Sequence, residues 1–323
     1  MTMRHAHPLR SPIVWYGGKG QIAHLIVPLL PPHRVYVEPF AGGLSVLFRK
    51  PQAVLETIND LDEGVVGFYR VLRDPALVPE FMHLAALTPY ARQEYEACRS
   101  TWREESDPVQ RAWKWFVMVR MAYGGGGRTG HTGFKTEIGT RGSAGYRTSW
   151  GYRVTDRAHS AGRRWMSAVE GLSVVHARLQ GLQIEQGDWR RILRLYGGEG
   201  ACVYLDPPYV LDTRTGGRRY DCEMTLDDHR DLTAALLASP AMCVLSGYRH
   251  EMTHQPLEDA GWERTDFDVK LNIAKRDGAA PRRIESVWRN HAALVACANA
   301  RAQQSMVFDD NQAGDERSDD DDH

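Results

Sequence analysis

The spacing of apolar residues over the first seventy positions predicts a β-α-β unit. Residues 11–33 have the pattern of a loop followed by an amphipathic helix, and residues 35–37 form a short apolar strand. A glycine turn then leads into a helix around residues 46–48. Residues 54–58 predict a second strand, and residues 63–73 predict another helix. An acidic residue ends each strand, which is typical of doubly wound sheets that bind nucleotides.

The middle of the chain has a different character. Residues 90–122 have helical periodicity and several tryptophans, whereas residues 124–157 are rich in Gly, Ser, Thr, Arg and Tyr and have little apolar periodicity. Residues 157–180 again predict helix. Between Val119 and Trp165 there are nine basic residues and only two acidic ones. This pattern predicts a basic module that interrupts the α/β domain.

The α/β rhythm returns at Leu182. The apolar run at residues 201–205 predicts a strand that is buried on both faces. The other predicted elements are a helix at 226–238, a strand at 242–245, and an antiparallel pair at 262–273 and 284–288. We therefore predict an α/β domain formed by residues 1–70 and 158–300, with the inserted module at residues 71–157.

The net charge of −1 hides an asymmetry between the body of the chain and its C-terminal end. The last fifteen residues contain eight acidic residues and one arginine, so that the remainder carries a net charge of +6. A mildly basic body is compatible with a polyanionic partner such as a nucleic acid. Residues 301–323 are predicted to form an acidic, disordered tail.

Composition narrows the class of protein. The chain has 323 residues, 42% of them apolar, which is enough for one large domain or two smaller ones. No run of about 18 apolar residues is present, and the N-terminal residues lack the apolar region of a secretion signal. The five cysteines are scattered and never spaced as Cys-x-x-Cys. We therefore expect a cytoplasmic monomer with no membrane segment, no disulfide framework and no metal.

The motif Asp206-Pro207-Pro208-Tyr209 directly follows the predicted strand at 201–205, at the end of the sheet where ligands bind. This motif suits chemistry on the exocyclic amine of a nucleobase. Such an amine is a poor nucleophile because its lone pair is conjugated into the ring. A carboxylate and the Pro207 carbonyl, each accepting one N–H bond, favour a pyramidal nitrogen, and the prolines preorganise that carbonyl. Tyr209 adds a flat face for a base taken out of the stack. The alternative is a tight Asp-Pro turn without a chemical role.

Two glycine turns and nearby carboxylates predict a ligand site beside the first strand. In Glu38-Pro39-Phe40-Ala41-Gly42-Gly43 the glycines let the backbone approach a ligand, and Glu38 or Asp60 can accept hydrogen bonds from ribose hydroxyls. The turn Trp15-Tyr16-Gly17-Gly18-Lys19 lacks the first glycine and the Ser/Thr of a phosphate-binding loop, which excludes that interpretation. Asp188 either bonds a ligand amine or serves only as a helix N-cap.

With Trp15–Lys19, Glu38–Gly43, Asn59-Asp60 and Asp206–Tyr209 in this order, the chain resembles the DNA adenine methylase (Dam) family of D12-class N6-adenine methyltransferases. The resemblance extends over residues 11–295. It implies a Rossmann-like S-adenosylmethionine-dependent methyltransferase sheet with an inserted target-recognition domain. It also implies methyl transfer to a flipped adenine in duplex DNA, with the turn Asp206–Tyr209 as the catalytic element.

The resemblance and the local chemistry together define the candidate site residues. Those expected to bind S-adenosylmethionine are Trp15, Tyr16, Gly17, Gly18, Lys19, Glu38, Phe40, Gly42, Gly43, Asp60, Asp188 and Asp206. Those expected to contact DNA phosphates and base edges are Arg120, Arg128, Lys135, Arg141 and Arg147. The alternative for the basic segment is an ordinary solvated loop.

Several competing functions use similar chemistry. A cytosine C5 enzyme needs a cysteine nucleophile, usually after a proline, and none of the five cysteines follows a proline. N4-cytosine enzymes use a closely similar turn, and a DNA-binding relative without catalysis is a further alternative, as are glutamine and RNA amine methyltransferases. The glycines at 124–127 depart from the family's usual recognition segment, so that no recognition sequence is predicted. The sequence also does not predict a restriction partner.

Overall fold

The computed structural model describes residues 9–15, 17–122, 161–210, 223–270 and 282–315. Its strands are β1 Val35–Glu38, β2 Leu55–Asp60, β3 Gln183–Gln186, β4 Ala201–Leu205, β5 Met242–Gly247, β6 Glu263–Lys270 and β7 Arg282–Arg289. They form one sheet in the order β3-β2-β1-β4-β5-β7-β6. The first five strands in this order are parallel, whereas β7 is antiparallel to both β5 and β6. The strand order reverses beside β1, as in a Rossmann-like sheet. This topology confirms the predicted fold class.

Helices cover the sheet and continue into the segment that follows β2. They are α1 Ala23–Ile26, α2 Glu63–Arg73, α3 Val78–Leu87, α4 Arg92–Thr101, α5 Pro108–Met121, α6 Ala161–Glu170, α7 Leu172–Leu179, α8 Trp189–Tyr196, α9 Leu226–Leu237, α10 Glu251–Asp259 and α11 His291–Asp315. Short 3-10 helices lie at Lys19–Gln21 and Val27–Leu29. The helices predicted at 63–73 and 226–238, and the antiparallel pair of strands near the C-terminus, are confirmed.

The central strand β4 is apolar at every position because both faces of the sheet are covered. All five residues of β4 are buried. Successive side chains of a strand point to opposite faces, so that Cys202 and Tyr204 join one apolar core while Val203 and Leu205 join the other. This arrangement leaves the carboxyl ends of the parallel strands as the open edge on which a site can form.

Two predicted helices near the N-terminus are wrong in detail. The helix predicted within 11–33 is divided into α1 and the two short 3-10 helices. Pro28 lies at the start of the second one and has no N–H to continue an α-helical ladder. Residues 46–48 lie in consecutive turns, preceded by Leu44 with a φ of 52°. A left-handed residue at that point cannot be part of a regular helix.

The described part of the predicted insertion shares its core with the α/β domain. The boundary predicted between residues 70 and 71 falls inside α2. Phe116 of α5 stacks on Phe68 of α2 with ring centroids 5.3 Å apart, and Phe81 of α3 packs against both rings. These helices therefore extend the core on one side of the sheet. Residues 123–160, which contain most of the basic segment, lie outside the described residues.

The C-terminal segment also differs from the prediction. Residues 301–315, expected to be disordered, continue helix α11. This helix begins after Asn290, whose side-chain oxygen accepts a hydrogen bond from the Ala293 N–H and so caps the first turn. Residues 316–323 of the predicted tail lie outside the described residues. Across the described ranges, no helix is both long and apolar enough to span a bilayer.

Candidate active site

A single cleft runs along the carboxyl ends of β1, β2 and β4. Every described member of the predicted cofactor set lines it: Trp15, Gly17, Gly18, Lys19, Glu38, Phe40, Gly42, Gly43, Asp60, Asp188 and Asp206. Tyr16 lies outside the described residues. Apart from Trp15–Lys19, which precedes β1, these residues lie at or just after the ends of parallel strands that finish at the same edge of the sheet.

The glycine turn after β1 is held in place by Asp60 at the end of β2. The Asp60 carboxylate accepts hydrogen bonds from the Gly42 N–H at 2.8 Å and from the Asp62 N–H at 3.0 Å. Gly42 has a φ of 43°, and a Cβ there would lie 2.8 Å from Cδ1 of Trp15. Only glycine fits at this position, and Trp15 packs directly on the turn.

Glu38 is a buried carboxylate at the floor of the cleft, with 2% of its surface exposed. Its Oε1 accepts a hydrogen bond from the Tyr36 hydroxyl at 2.9 Å, whereas its Oε2 has no hydrogen-bond partner among the described residues. Burial raises the pKa of Glu38 to about 8, although the Tyr36 hydroxyl opposes the shift. Such a carboxyl group is well suited to bind a cationic or N–H-donating ligand.

Asp188 caps a helix, which confirms one of its two predicted interpretations, whereas a bond to a ligand amine stays a prediction. Its Oδ1 accepts a hydrogen bond from the Arg190 N–H at 2.7 Å and caps α8, and the residue also lines the cleft. The loop that carries it is fastened by Asn59, whose side-chain amide donates to the carbonyl oxygens of Pro39 and Gly187, both at 2.9 Å. Asn59 therefore joins the ends of three strands.

Asp206 follows β4 and is paired with Lys19. The Lys19 Nζ lies 2.6 Å from Oδ1 of Asp206 and also donates to the Gly17 carbonyl at 2.8 Å. Burial raises the pKa of the Asp206 carboxyl, and the Lys19 ammonium opposes this shift. Burial alone would lower the pKa of Lys19, but the carboxylates of Asp206 and Glu285 raise it above its usual value. Lys19 therefore carries a charged ammonium group.

Tyr209 is more constrained than a simple stacking platform. Its hydroxyl donates a hydrogen bond to Glu285. Its ring meets the ring of Tyr248 edge-on, with centroids 4.5 Å apart, and the Lys19 Nζ lies 4.7 Å from its centroid. The ring thus belongs to a cluster that joins the ends of β4 and β5 to β7.

Ser246, Tyr248 and Glu285 belong to this cluster but are not among the predicted site residues, although residues 244–248 and 282–288 resemble later motifs of the Dam family. The Ser246 Oγ lies 3.3 Å from Oδ1 of Asp206. A further signal for Glu285 is its place in the predicted strand at 284–288, where a charged side chain is costly to bury. That signal did not indicate which group the carboxylate would face.

Arg120 is the one described residue of the predicted DNA-contacting set. Its guanidinium donates to the Arg164 carbonyl at 2.8 Å, and burial lowers its pKa to about 10. In this arrangement it connects α5 to α6. Arg128, Lys135, Arg141 and Arg147 lie outside the described residues, and contact with DNA stays a prediction for all five.

A comparison with known protein families shows which family this chain belongs to. The model of the D12 class N6 adenine-specific DNA methyltransferase family matches residues 15–243. The chain belongs to this family. It is an adenine-specific DNA methyltransferase, as predicted, and neither cytosine methylation nor a glutamine or RNA substrate is favoured. Tyr248 and Glu285 lie beyond the matched range.

Individual relatives are more distant. The chain is 25% identical over 291 residues to Type II methyltransferase M1.LlaDCHI of Lactococcus lactis subsp. cremoris, a match that covers 84% of this chain and 90% of the relative. Among solved structures, the rRNA methyltransferase aviRa of Streptomyces viridochromogenes is 14% identical, with a TM-score of 0.32 and coverage of 92% of this chain and 91% of that one. A second structure of aviRa is 13% identical with the same TM-score.

Proposed function

We propose that this methyltransferase transfers a methyl group from S-adenosylmethionine to N6 of an adenine that is turned out of duplex DNA. The observation that carries the proposal is the position of the Asp206 turn at one end of a cleft whose floor is Glu38. A donor bound along the cleft would therefore meet a target amine at the turn.

The residues of the cleft fit this methyl donor. Glu38 offers a buried carboxylate oxygen with no hydrogen-bond partner among the described residues, suited to an ammonium group. We assign Asp60 to the ribose and Asp188 to the adenine amine, because carboxylates accept hydrogen bonds from both groups. S-adenosylmethionine supplies an electrophilic methyl group on a sulfonium when it is bound.

Residues of the chain prepare the amine for attack. Asp206 and the Pro207 carbonyl accept its two N–H bonds and favour the pyramidal nitrogen, while Lys19 holds the Asp206 carboxylate in one orientation. The nitrogen gains the methyl group and loses one proton. Asp206 lies where it can accept that proton, and its raised pKa makes it a better base than an exposed aspartate.

A direct assay tests the substrate and the reaction together. Labelled S-adenosylmethionine is incubated with the protein and with duplex DNA, single-stranded DNA, RNA and a protein mixture in parallel, and the modified DNA is digested to nucleosides. We expect label in duplex DNA as N6-methyladenine. Label in N4-methylcytosine, or in RNA or protein instead of DNA, would refute the proposal.

The biological setting is a part of the same proposal. The Type II methyltransferase of Lactococcus supports a role as the modification enzyme of a restriction-modification system, acting as a monomer in the cytoplasm, where cellular DNA is exposed. The basic segment would bind DNA phosphates. Sequencing of methylated bases in DNA from cells that express the protein would identify the recognition sequence, and randomly distributed methylation would contradict a restriction-modification role.

Proton release on cofactor binding is a testable consequence of the Glu38 assignment. Since the pKa of Glu38 is raised to about 8, this carboxyl group is mainly protonated in the ligand-free protein at pH 7. An ammonium group beside it favours the ionised form, so that binding of S-adenosylmethionine at pH 7 should release about one proton. Calorimetry in two buffers with different heats of ionisation measures this release.

Two variants make the measurement specific. Glu38→Gln should bind the cofactor without releasing the proton. Asp60→Ala should bind more weakly, because charge-assisted hydrogen bonds worth about 1.5–3 kcal/mol each are lost, but should still release it. Equal heats in both buffers for the unmodified protein would remove Glu38 from the cofactor site.

A further inference from the structure

Glu285 is an acidic residue in the interior of the protein that no step above requires. It lies on β7, and 6% of its surface is exposed. A buried carboxylate is costly unless other groups pair with it. Both of the partners that we describe for it, Tyr209 and Lys19, belong to the candidate active site.

Strand pairing brings Glu285 to the catalytic turn. β7 runs antiparallel to β5, with Ser286 opposite Gly247, so that Glu285 lies just beyond the end of β5. Its side chain points to the same face of the sheet as that of Val287, two residues along the strand. This is the face where Tyr204 of β4 also packs.

The ammonium group of Lys19 lies close to two carboxylates, those of Asp206 and Glu285. The Lys19 Nζ lies 2.6 Å from Asp206 Oδ1 and 3.6 Å from Glu285 Oε1. The hydroxyl of Tyr209 donates to the same oxygen of Glu285. Glu285 thus holds two groups that adjoin Asp206: Lys19, its ion-pair partner, and Tyr209, which ends the turn.

We propose that Glu285 is a positioning residue for methyl transfer: it holds Lys19 and the Tyr209 ring so that the Asp206 carboxylate keeps the orientation the target amine requires. The inference rests on the proposed role of the Asp206 turn. Glu285 itself does not line the cleft proposed for the donor. It should therefore affect the rate of the chemical step and leave the affinity for S-adenosylmethionine unchanged.

The test compares Glu285→Gln, Tyr209→Phe and the double variant with the unmodified protein, and measures kcat, the KM for DNA, S-adenosylmethionine affinity and thermal unfolding. We expect each single change to lower kcat about tenfold or more, the effect of losing a hydrogen bond to a charged group. Cofactor affinity should stay within about twofold, since neither residue lies on the cofactor side of the cleft. The double variant should lose little more than Glu285→Gln alone, because removal of the carboxylate charge already weakens the contact that Tyr209→Phe abolishes.

Ser286→Ala is the matched control. Ser286 is the next residue on the same strand and is also buried, and its hydroxyl donates to Asp266 on β6, at 2.6 Å and away from the turn. The Ser286→Ala variant should lose this partly buried hydrogen bond without a loss of kcat. A loss of kcat equal to that of Glu285→Gln would mean that any disturbance of β7 slows the reaction, and would overturn the proposal.

Other results are equally decisive. Unchanged kcat in a folded Glu285→Gln protein, or losses that multiply in the double variant, would show that Glu285 and Tyr209 do not act together. If Glu285→Gln fails to fold, Tyr209→Phe still carries the test, and full activity in that variant overturns the proposal. If Asp206→Asn retains activity, the catalytic role of the turn fails, whatever the Glu285 variants do.

Discussion

Asp206→Asn is expected to lower kcat for DNA methylation by about 10²–10³-fold or more, comparable with the loss of one preorganised group in other active sites. Asparagine has nearly the same shape but lacks the charge, and its amide cannot act as the base. The change also leaves the Lys19 ammonium without the carboxylate that lies 2.6 Å from it. Asp206→Ala should be inactive as well, because it removes the acceptor entirely.

Asp227→Asn is a suitable control, because Asp227 pairs with Arg230 on the surface of α9 and its side chain is 85% exposed. That variant should keep full activity, and all three proteins should give the same circular dichroism spectrum. Methylation by Asp206→Asn within tenfold of the unmodified rate would show that another group accepts the N–H bond of the amine.

The raised pKa of Asp206 adds a dependence on pH. The proposed mechanism needs the ionised carboxylate, so kcat should fall as the pH is lowered through that pKa, starting at a higher pH than for an ordinary aspartate.

Gly64→Ala should reduce the free energy of unfolding by about 1–3 kcal/mol or more. Gly64 lies in the first turn of α2, where a Cβ would be 2.0 Å from Nε1 of Trp115. The indole cannot easily move away, because it is buried against Phe68 and Trp15, with ring centroids 5.5 Å and 6.0 Å distant. Displacement towards Trp15 would also disturb the cleft and weaken cofactor binding.

Gly67→Ala is the matched variant in the same helix. A Cβ at Gly67 meets no atom within 4 Å, and alanine favours a helix by about 1 kcal/mol over glycine. The two variants should therefore shift the midpoint of urea unfolding in opposite directions. Equal shifts would mean that α2 or the Trp115 ring relaxes to accommodate the methyl group.

The local sequence determined which candidate site residues lie at the ends of the parallel strands. A buried strand reads as a continuous apolar run, and the residue after it lies at the ligand-binding edge. For this reason Glu38, Asp60 and Asp206 could be assigned to one cleft before their distances were known. The Asp188 cap was likewise predictable, since an N-cap depends only on a short side chain at the start of a helix.

Local patterns failed where single residues interrupt an otherwise helical sequence. Pro28 divides the helix expected within 11–33, and the left-handed Leu44 precedes the turns found where a helix was expected at 46–48. At the other end of the chain, residues 301–315 have an acidic composition near their end, yet they continue a helix that starts at an Asn290 cap. Amino-acid composition is an average over a whole segment. A helix, in contrast, depends on whether the backbone N–H groups of its first turn find hydrogen-bond acceptors.

Only the tertiary structure decided which charges meet. Lys19 and Asp206 are 187 residues apart in sequence, and Glu285 reaches them from a strand whose antiparallel register no local periodicity reveals. Gly64 would also be unfavourable in an isolated helix and makes sense only once Trp115 is packed against it. The hydrophobic pattern specifies which face of each element is buried, but the partners of a buried charge depend on how the elements are arranged in three dimensions. The catalytic geometry that we propose for this methyltransferase depends on those partners.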